Sequence, residues 1–81
     1  MEELLKRITF NPDVLCGKPL IRGLRLPVEM ILELLAKGEN EKEILEDYPE
    51  LEPDDIRAAL LYAHHIMVSR EMVLDRVAGT N

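Results

Sequence analysis

The sequence predicts a mainly α fold in which short N-terminal β-strands precede a helix-turn-helix and a long helix ends the chain. Three observations predict it. Apolar residues recur at helical spacing after two prolines, Pro27 and Pro53. The segment from Asn40 to His65 has the pattern of a short helix, a proline-marked turn and a longer helix. The region before Pro27 instead combines β-branched residues, glycines and an alternation of apolar with basic residues.

Residues 8–26 are predicted to form short strands and loops. Ile8 to Phe10 reads as a strand that ends at the turn signal Asn11-Pro12. The alternating residues on both sides of Gly23 suit a second, bent strand region. Because a pair of strands this short is marginally stable in water, pairing with the same segment of a second subunit would stabilise it. The sequence therefore predicts a homodimer.

The first main helix is predicted over residues 27–38. Pro27 suits its first position, since a proline there loses no hydrogen bond. Gly38 suits its end, since glycine readily takes a left-handed conformation. The face expected to turn toward the core carries apolar residues at helical spacing, namely Val28, Ile31, Leu32 and Leu35.

The next helix is predicted over residues 40–47. Asn40 is a favourable N-cap, and Glu43 three residues later completes a variant of the capping box. Ile44 is expected in the core. Pro49 ends the helix, because the residue before a proline avoids helical geometry, and Leu51 is expected to fill the turn.

The last helix is predicted over residues 53–78, with Asp54 and Asp55 close to its positive end. Its inward stripe is predicted to consist of Ile56, Ala59, Leu60, Ala63 and Met67. Other apolar residues fall outside this stripe, which indicates that the C-terminal part is an arm for a second copy or a partner. The candidate interface with a second copy or a partner protein comprises Leu61, Tyr62, His65, Val68, Met72 and Val73.

Length and composition limit the function. The 81 residues predict a single domain over 1–81, and 47% hydrophobic residues suffice for a packed core. A net charge of −6 disfavours non-specific binding to DNA or to anionic membranes and favours a basic protein partner. Cys16 cannot form an internal disulfide and is expected to be a small buried residue. Without a targeting sequence or a membrane-length apolar run, we expect a cytoplasmic protein.

The sequence shows no support for catalysis. It has no glycine-rich phosphate loop, no nucleophile beside a base and no metal-ligand spacing. His64 and His65 are adjacent, so their side chains would leave a helix about 100° apart and make a poor metal site. We therefore expect a non-enzymatic protein without a catalytic residue, cofactor or metal, in which these histidines serve an interface or the surface.

The basic residues Lys18, Arg22, Arg25 and Arg57 are the candidate DNA contacts. The first three form a cluster in the strand region, and Arg57 lies where the second helix of a helix-turn-helix meets base edges. The alternative is that the cluster faces solvent or pairs with acidic helices of a neighbouring subunit. We favour this alternative, and we interpret the surrounding acids as helix-start residues or as a surface for a basic partner.

Most of the chain, from Ile8 to Ala63, resembles the domain of unknown function 433 family of bacteria and archaea. Two positions depart from the family pattern: Cys16 stands where another glycine is usual, and Leu24 where a threonine is usual. The markers of the resemblance occur in this order: Gly17-Lys18-Pro19, Ile21-Arg22-Gly23, Arg25, Pro27-Val28, Gly38, Ile44-Leu45, Tyr48-Pro49, Leu51, Asp55-Ile56, Ala58-Ala59-Leu60 and Tyr62-Ala63.

The resemblance implies a three-helix, homeodomain-like helix-turn-helix preceded by short strands. It also implies the antitoxin of a type II toxin–antitoxin pair, whose partner is a PIN-like nuclease toxin encoded nearby. Three functions remain open at this stage. The chain is a dimeric antitoxin that also regulates its own operon through DNA, a stand-alone DNA-binding regulator, or a structural or adaptor homodimer.

Overall fold

The computed structural model describes residues 2–78, with side chains within residues 2–69. Its mainly helical architecture, with a two-stranded antiparallel sheet and a long last helix, confirms the predicted fold class. A single 3₁₀ turn spans Leu15–Gly17. The elements in chain order are α1 (Glu2–Leu5), β1 (Ile8–Thr9), β2 (Leu20–Ile21), α2 (Val28–Ala36), α3 (Glu41–Asp47) and α4 (Pro53–Ala78).

The two strands pair with each other. Ile8 lies opposite Ile21 and Thr9 opposite Leu20, and the three aliphatic side chains of this pair are buried. The strands therefore gain their stability from the core of their own chain. The residues after Ile21 form a tight turn, and the chain returns to Leu20 through a single bridge at Pro27.

The ends of α2 and α3 follow the local signals in the sequence. Pro27 precedes α2 as its N-cap, so the helix begins one residue later than predicted. Gly38 has a φ of +98°, as expected of a left-handed residue after a helix. The predicted capping box is confirmed, since the Asn40 side chain accepts from the Glu43 N–H and Glu43 accepts from the Asn40 N–H, both at 2.9 Å.

The core lies between β1, β2, α2, α3 and the first part of α4, and Ile44 and Leu51 are buried in it as predicted. The predicted inward stripe of α4 is correct at Ile56 and Ala59, which are buried, and wrong at two other positions. Leu60 is 49% exposed and Met67 is 57% exposed, whereas Leu61 is buried. The fully buried positions of this helix are Asp55, Ala58 and Ala59.

The surroundings of helix α4 differ along its length. Up to Ala63 it packs against the rest of the chain, including α1, α2 and α3. From His64 to Ser69 every side chain is exposed, although the backbone stays helical through Ala78. Within the described part of the chain, no helix has both the length and the apolar character needed to cross a membrane.

Candidate functional site

A cluster of charged side chains centred on Asp55 joins the strand region to α4. The Asp55 side chain is fully buried. Arg22 donates to it through Nε and Nη2, with the shorter contacts at 3.0 and 2.9 Å, and Arg7 donates through Nη1 at 2.9 Å. Arg7 also contacts Glu52 at 2.7 Å, and Arg22 donates to the Glu50 carbonyl oxygen at 2.7 Å. A two-pronged arginine contact of this kind fixes geometry as well as charge.

Local structure places each member of this cluster. Asp55 is the third residue of α4, and its carboxylate accepts from the Glu52 backbone N–H at 2.8 Å, which is half of a capping box. Arg22 and Gly23 both have positive φ values, 46° and 73°, in the turn after β2. This turn is closed by the Leu24 N–H donating to the Ile21 carbonyl at 2.7 Å. A left-handed arginine is strained, so its ion pair with Asp55 helps to hold the turn.

The environment keeps all three groups of the cluster charged. Burial by itself would raise the pKa of Asp55, but the hydrogen bonds from Arg22, from the Glu52 N–H and from Arg7 leave that pKa below its usual value. The pKa of Arg7 is raised by Glu52 and then by Asp55, and the pKa of Arg22 is raised by Asp55. This cluster is therefore an internal ion-pair network with an acidic centre.

The sequence predicted Asp55 at the start of α4, which is correct, and on an exposed helical face, which is wrong because its side chain is buried. Asp55 is the first buried residue of α4. A search for apolar residues alone therefore starts the buried stripe one residue too late, at Ile56. Arg7 was also missed. The available signal was the position of Asp55 three residues after Glu52, with Ala58 and Ala59 following at helical spacing.

The four candidate DNA contacts have different surroundings. Arg22 contacts Asp55, Lys18 lies 2.6 Å from Glu29, and Arg57 lies 3.6 Å from Asp54. The Glu29 contact raises the pKa of Lys18. Among the side chains of residues 2–69, Arg25 makes no ion pair. The structure thus brings Arg22 and Lys18 to carboxylates of their own chain, and their role at DNA stays a prediction.

Unlike these paired basic residues, most acids around α3 have no ion-pair partner among the described side chains. Glu43 is occupied by the capping box. Five other carboxylates between residues 39 and 50 are not paired with a cation within residues 2–69, and Lys42 is the basic residue of that stretch. We call these five carboxylates the acidic face: Glu39, Glu41, Glu46, Asp47 and Glu50.

The predicted interface residues divide into three groups. Leu61 is buried in its own chain and is unavailable to a partner. Tyr62 is half-buried, whereas His65 and Val68 are exposed, as the interface prediction requires. Met72 and Val73 belong to α4, but their side chains lie outside the described residues.

An apolar trough runs between α2 and α4, with a volume of about 320 Å³. Tyr62 also contacts the exposed Phe10, with ring centroids 6.1 Å apart, which extends the apolar surface toward β1. Sequence reasoning did not identify this trough, because it depends on how two helices pack. One wall consists of Pro19, Val28 and Leu32, and the other of Tyr62, Ile66 and Met67.

Cys16 and the histidines offer no combined chemistry. Cys16 is exposed rather than buried, which corrects the expectation from the sequence. Its φ of 59° is left-handed, which explains why a glycine suits this position. The rings of His64 and His65 lie 6.1 Å apart, centroid to centroid. Within residues 2–69, no group of three metal-ligating side chains comes together.

Fold and site together define a small, mainly helical domain with an internal ion-pair network and an apolar trough. The sequence matches the family described as "Protein of unknown function (DUF433)" over residues 8–63, and the chain belongs to this family. The match covers the same residues as the resemblance seen in the sequence, Ile8 to Ala63, and confirms it.

Two proteins are similar to this chain in sequence or structure. It is 39% identical over 56 residues to "Uncharacterized protein y4eO" of Sinorhizobium fredii (strain NBRC 101917 / NGR234), a match that covers 69% of this chain and 25% of that protein. The chain therefore spans only about a quarter of this relative. The crystal structure of a DUF433 member from Anabaena variabilis ATCC 29413 is 31% identical, with a TM-score of 0.72, over 89% of this chain and 73% of that one.

Proposed function

We propose that this domain is the antitoxin of a type II toxin–antitoxin pair and neutralises a basic, PIN-like nuclease toxin by binding it. The observation that supports this proposal is the distribution of charge. Lys18, Arg22 and Arg57 contact carboxylates of their own chain, whereas the acidic face has no such partners within residues 2–69. A surface of this kind attracts a cationic protein and repels the phosphate backbone of DNA.

Geometry supports a protein partner in a second way. The acidic face belongs to α3 and its flanks, so it rests on a helix with a satisfied N-terminus. Ordered, complementary charges raise the rate of association and select the partner more than they raise affinity. The rest of the binding energy would come from apolar contacts, which exposed residues of α4 such as Val68 offer.

Binding to the toxin is tested by co-expressing the chain with the product of the neighbouring gene. We expect a stable complex and relief of toxicity. The matched variant is the double substitution Glu46→Lys and Asp47→Lys, which should weaken the complex about tenfold and increase its dissociation at high salt. Lysines in the last turn of α3 suit the helix dipole, so the fold should tolerate them.

The control carries the same change of charge on a different element, Glu2→Lys with Glu3→Lys on α1. If both double variants weaken the complex equally, the net charge and not the acidic face is responsible. If the unaltered chain forms no complex and relieves no toxicity, the proposed function is wrong.

A second candidate is a DNA-binding regulator, either as an added role of the antitoxin or alone. Arg57 is exposed in the second turn of α4, and its 3.6 Å contact with Asp54 is loose. Arg25 is exposed as well. Titrating a labelled upstream DNA fragment at two salt concentrations tests this role. Binding that weakens with salt and with Arg57→Ala supports it, and no binding at low salt contradicts it.

A further inference from the structure

The apolar trough stands apart from the charge pattern of the molecule. The chain has a net charge of −6, yet the trough is lined by apolar side chains and one acid, Glu29. Lys18 neutralises that acid at 2.6 Å. Ile66 and Met67 at its edge are 41% and 57% exposed. Contiguous exposed apolar surface of this type marks a site of protein association.

This surface has a concave part and a convex part. The trough is the concave part, and the α4 segment that starts at Ile66 is the ridge beside it. Beyond Ala63 the helix continues through residues 64–78, or about 22 Å, and its described side chains, those of residues 64–69, are exposed. A helical segment of this length is marginal in water without packing.

Charge decides which occupant fits. A cationic partner would be drawn to the acidic face, and the neutralised trough offers it no electrostatic advantage. A second copy carries the same net charge of −6, so repulsion between the copies is weakest where the local surface is neutral, and the trough is such a surface. In a two-fold contact each copy supplies both the ridge and the trough, so both contacts form at once.

We infer that the apolar trough is the binding site for α4 of a second copy of this chain, in a two-fold homodimer. Small Ala63 at the trough lets the partner helix approach closely. The contact face of α4 then contains Ala63, Ile66 and Met67. Val68 lies about 160° around the helix from Ile66, at 100° per residue, and faces away from the contact.

The test is sedimentation of the full chain over a range of concentrations, with Ile66→Glu and Val68→Glu as a matched pair. Both residues are 41% exposed and lie on the same helix, so both variants should fold, which circular dichroism checks. We expect a dimer, twice the 9.3 kDa chain, for the unaltered protein and for Val68→Glu. Ile66→Glu should be monomeric at the same concentrations.

Three results would overturn the inference. The unaltered chain stays monomeric at every concentration, or Ile66→Glu remains as dimeric as Val68→Glu, or Val68→Glu alone dissociates. If the chain is monomeric and Ile66→Glu instead abolishes binding of the toxin, the trough belongs to the toxin. Conversely, a dimer that binds no toxin supports this inference and contradicts the proposed function, so the two proposals can fail independently.

Discussion

The two parts of α4 have opposite relations to the rest of the molecule. From Pro53 to Ala63 the helix is fixed to its own chain by Asp55, which contacts Arg7 and Arg22, and by the buried Ala58 and Ala59. From His64 to Ser69 the side chains are exposed and include Ile66, Met67 and Val68. One continuous helix thus serves first as a core element and then as a surface. The substitutions below test this division, beginning with the largest expected effect.

Replacing Asp55 with asparagine should destabilise the domain most. The substitution leaves Arg7 and Arg22 without their shared carboxylate in a partly buried site, so we expect the free energy of unfolding to fall by about 3 kcal/mol. Urea denaturation followed by circular dichroism measures it. The control is Asp54→Asn, the neighbouring but half-exposed carboxylate, which should cost less than about 1 kcal/mol. Equal losses would show that the buried cluster has no special role.

The pH dependence of stability should reveal the same carboxylate. The pKa of Asp55 is lower in the folded chain than the value of about 3.9 expected when it is unfolded. Its contribution is therefore fully present above about pH 4 and is lost as the pH falls through the folded pKa. Below about pH 4, the free energy of unfolding of the unaltered chain should fall more steeply with decreasing pH than that of Asp55→Asn. Parallel curves for the two proteins would contradict this assignment.

Relieving the left-handed residue at position 16 should have a smaller, stabilising effect. A non-glycine residue with a φ of 59° costs about 1–2 kcal/mol, and a glycine recovers this while adding freedom to the unfolded chain. We expect Cys16→Gly to raise the free energy of unfolding by about 0.5–1 kcal/mol. Cys16→Ala removes the thiol but keeps the strain, and it should give no gain. A similar gain from alanine would point to the thiol instead.

The smallest effect is expected in the exposed part of α4. Val68 is 41% exposed, so Val68→Ala should change the free energy of unfolding by no more than about 0.5 kcal/mol. Thermal unfolding at low protein concentration provides the measurement. A loss near that of a core truncation, about 2 kcal/mol or more, would mean that this part of the helix is packed in the monomer.

The parts of the fold that the sequence predicted are those set by local chemistry. Asn40 with Glu43 forms a capping box that involves only neighbouring residues, and Gly38 ends α2 through its own backbone preference. The family resemblance likewise needed only the order of residues. Such features do not depend on how distant elements pack.

The parts that were missed depend on contacts between distant residues. Asp55 is buried because Arg22, 33 residues earlier, and Arg7, 48 residues earlier, neutralise it. Once Asp55 begins the buried stripe, the helix rotates so that Leu61 faces inward and Leu60 faces outward. Apolar periodicity alone cannot find a stripe that begins with a charged residue. The trough also requires the packing of α2 on α4, which no local pattern encodes.

Amide hydrogen exchange along α4 most directly tests the division of this helix. The unaltered chain and Ile66→Glu are compared at one concentration at which the unaltered chain is dimeric. The account predicts that amides from Ile56 to Ala63 exchange slowly in both proteins, while those from Ile66 to Ser69 are protected only in the unaltered chain. Equal protection of residues 66–69 in both proteins would contradict it, because that part of the helix would then be held without a second copy.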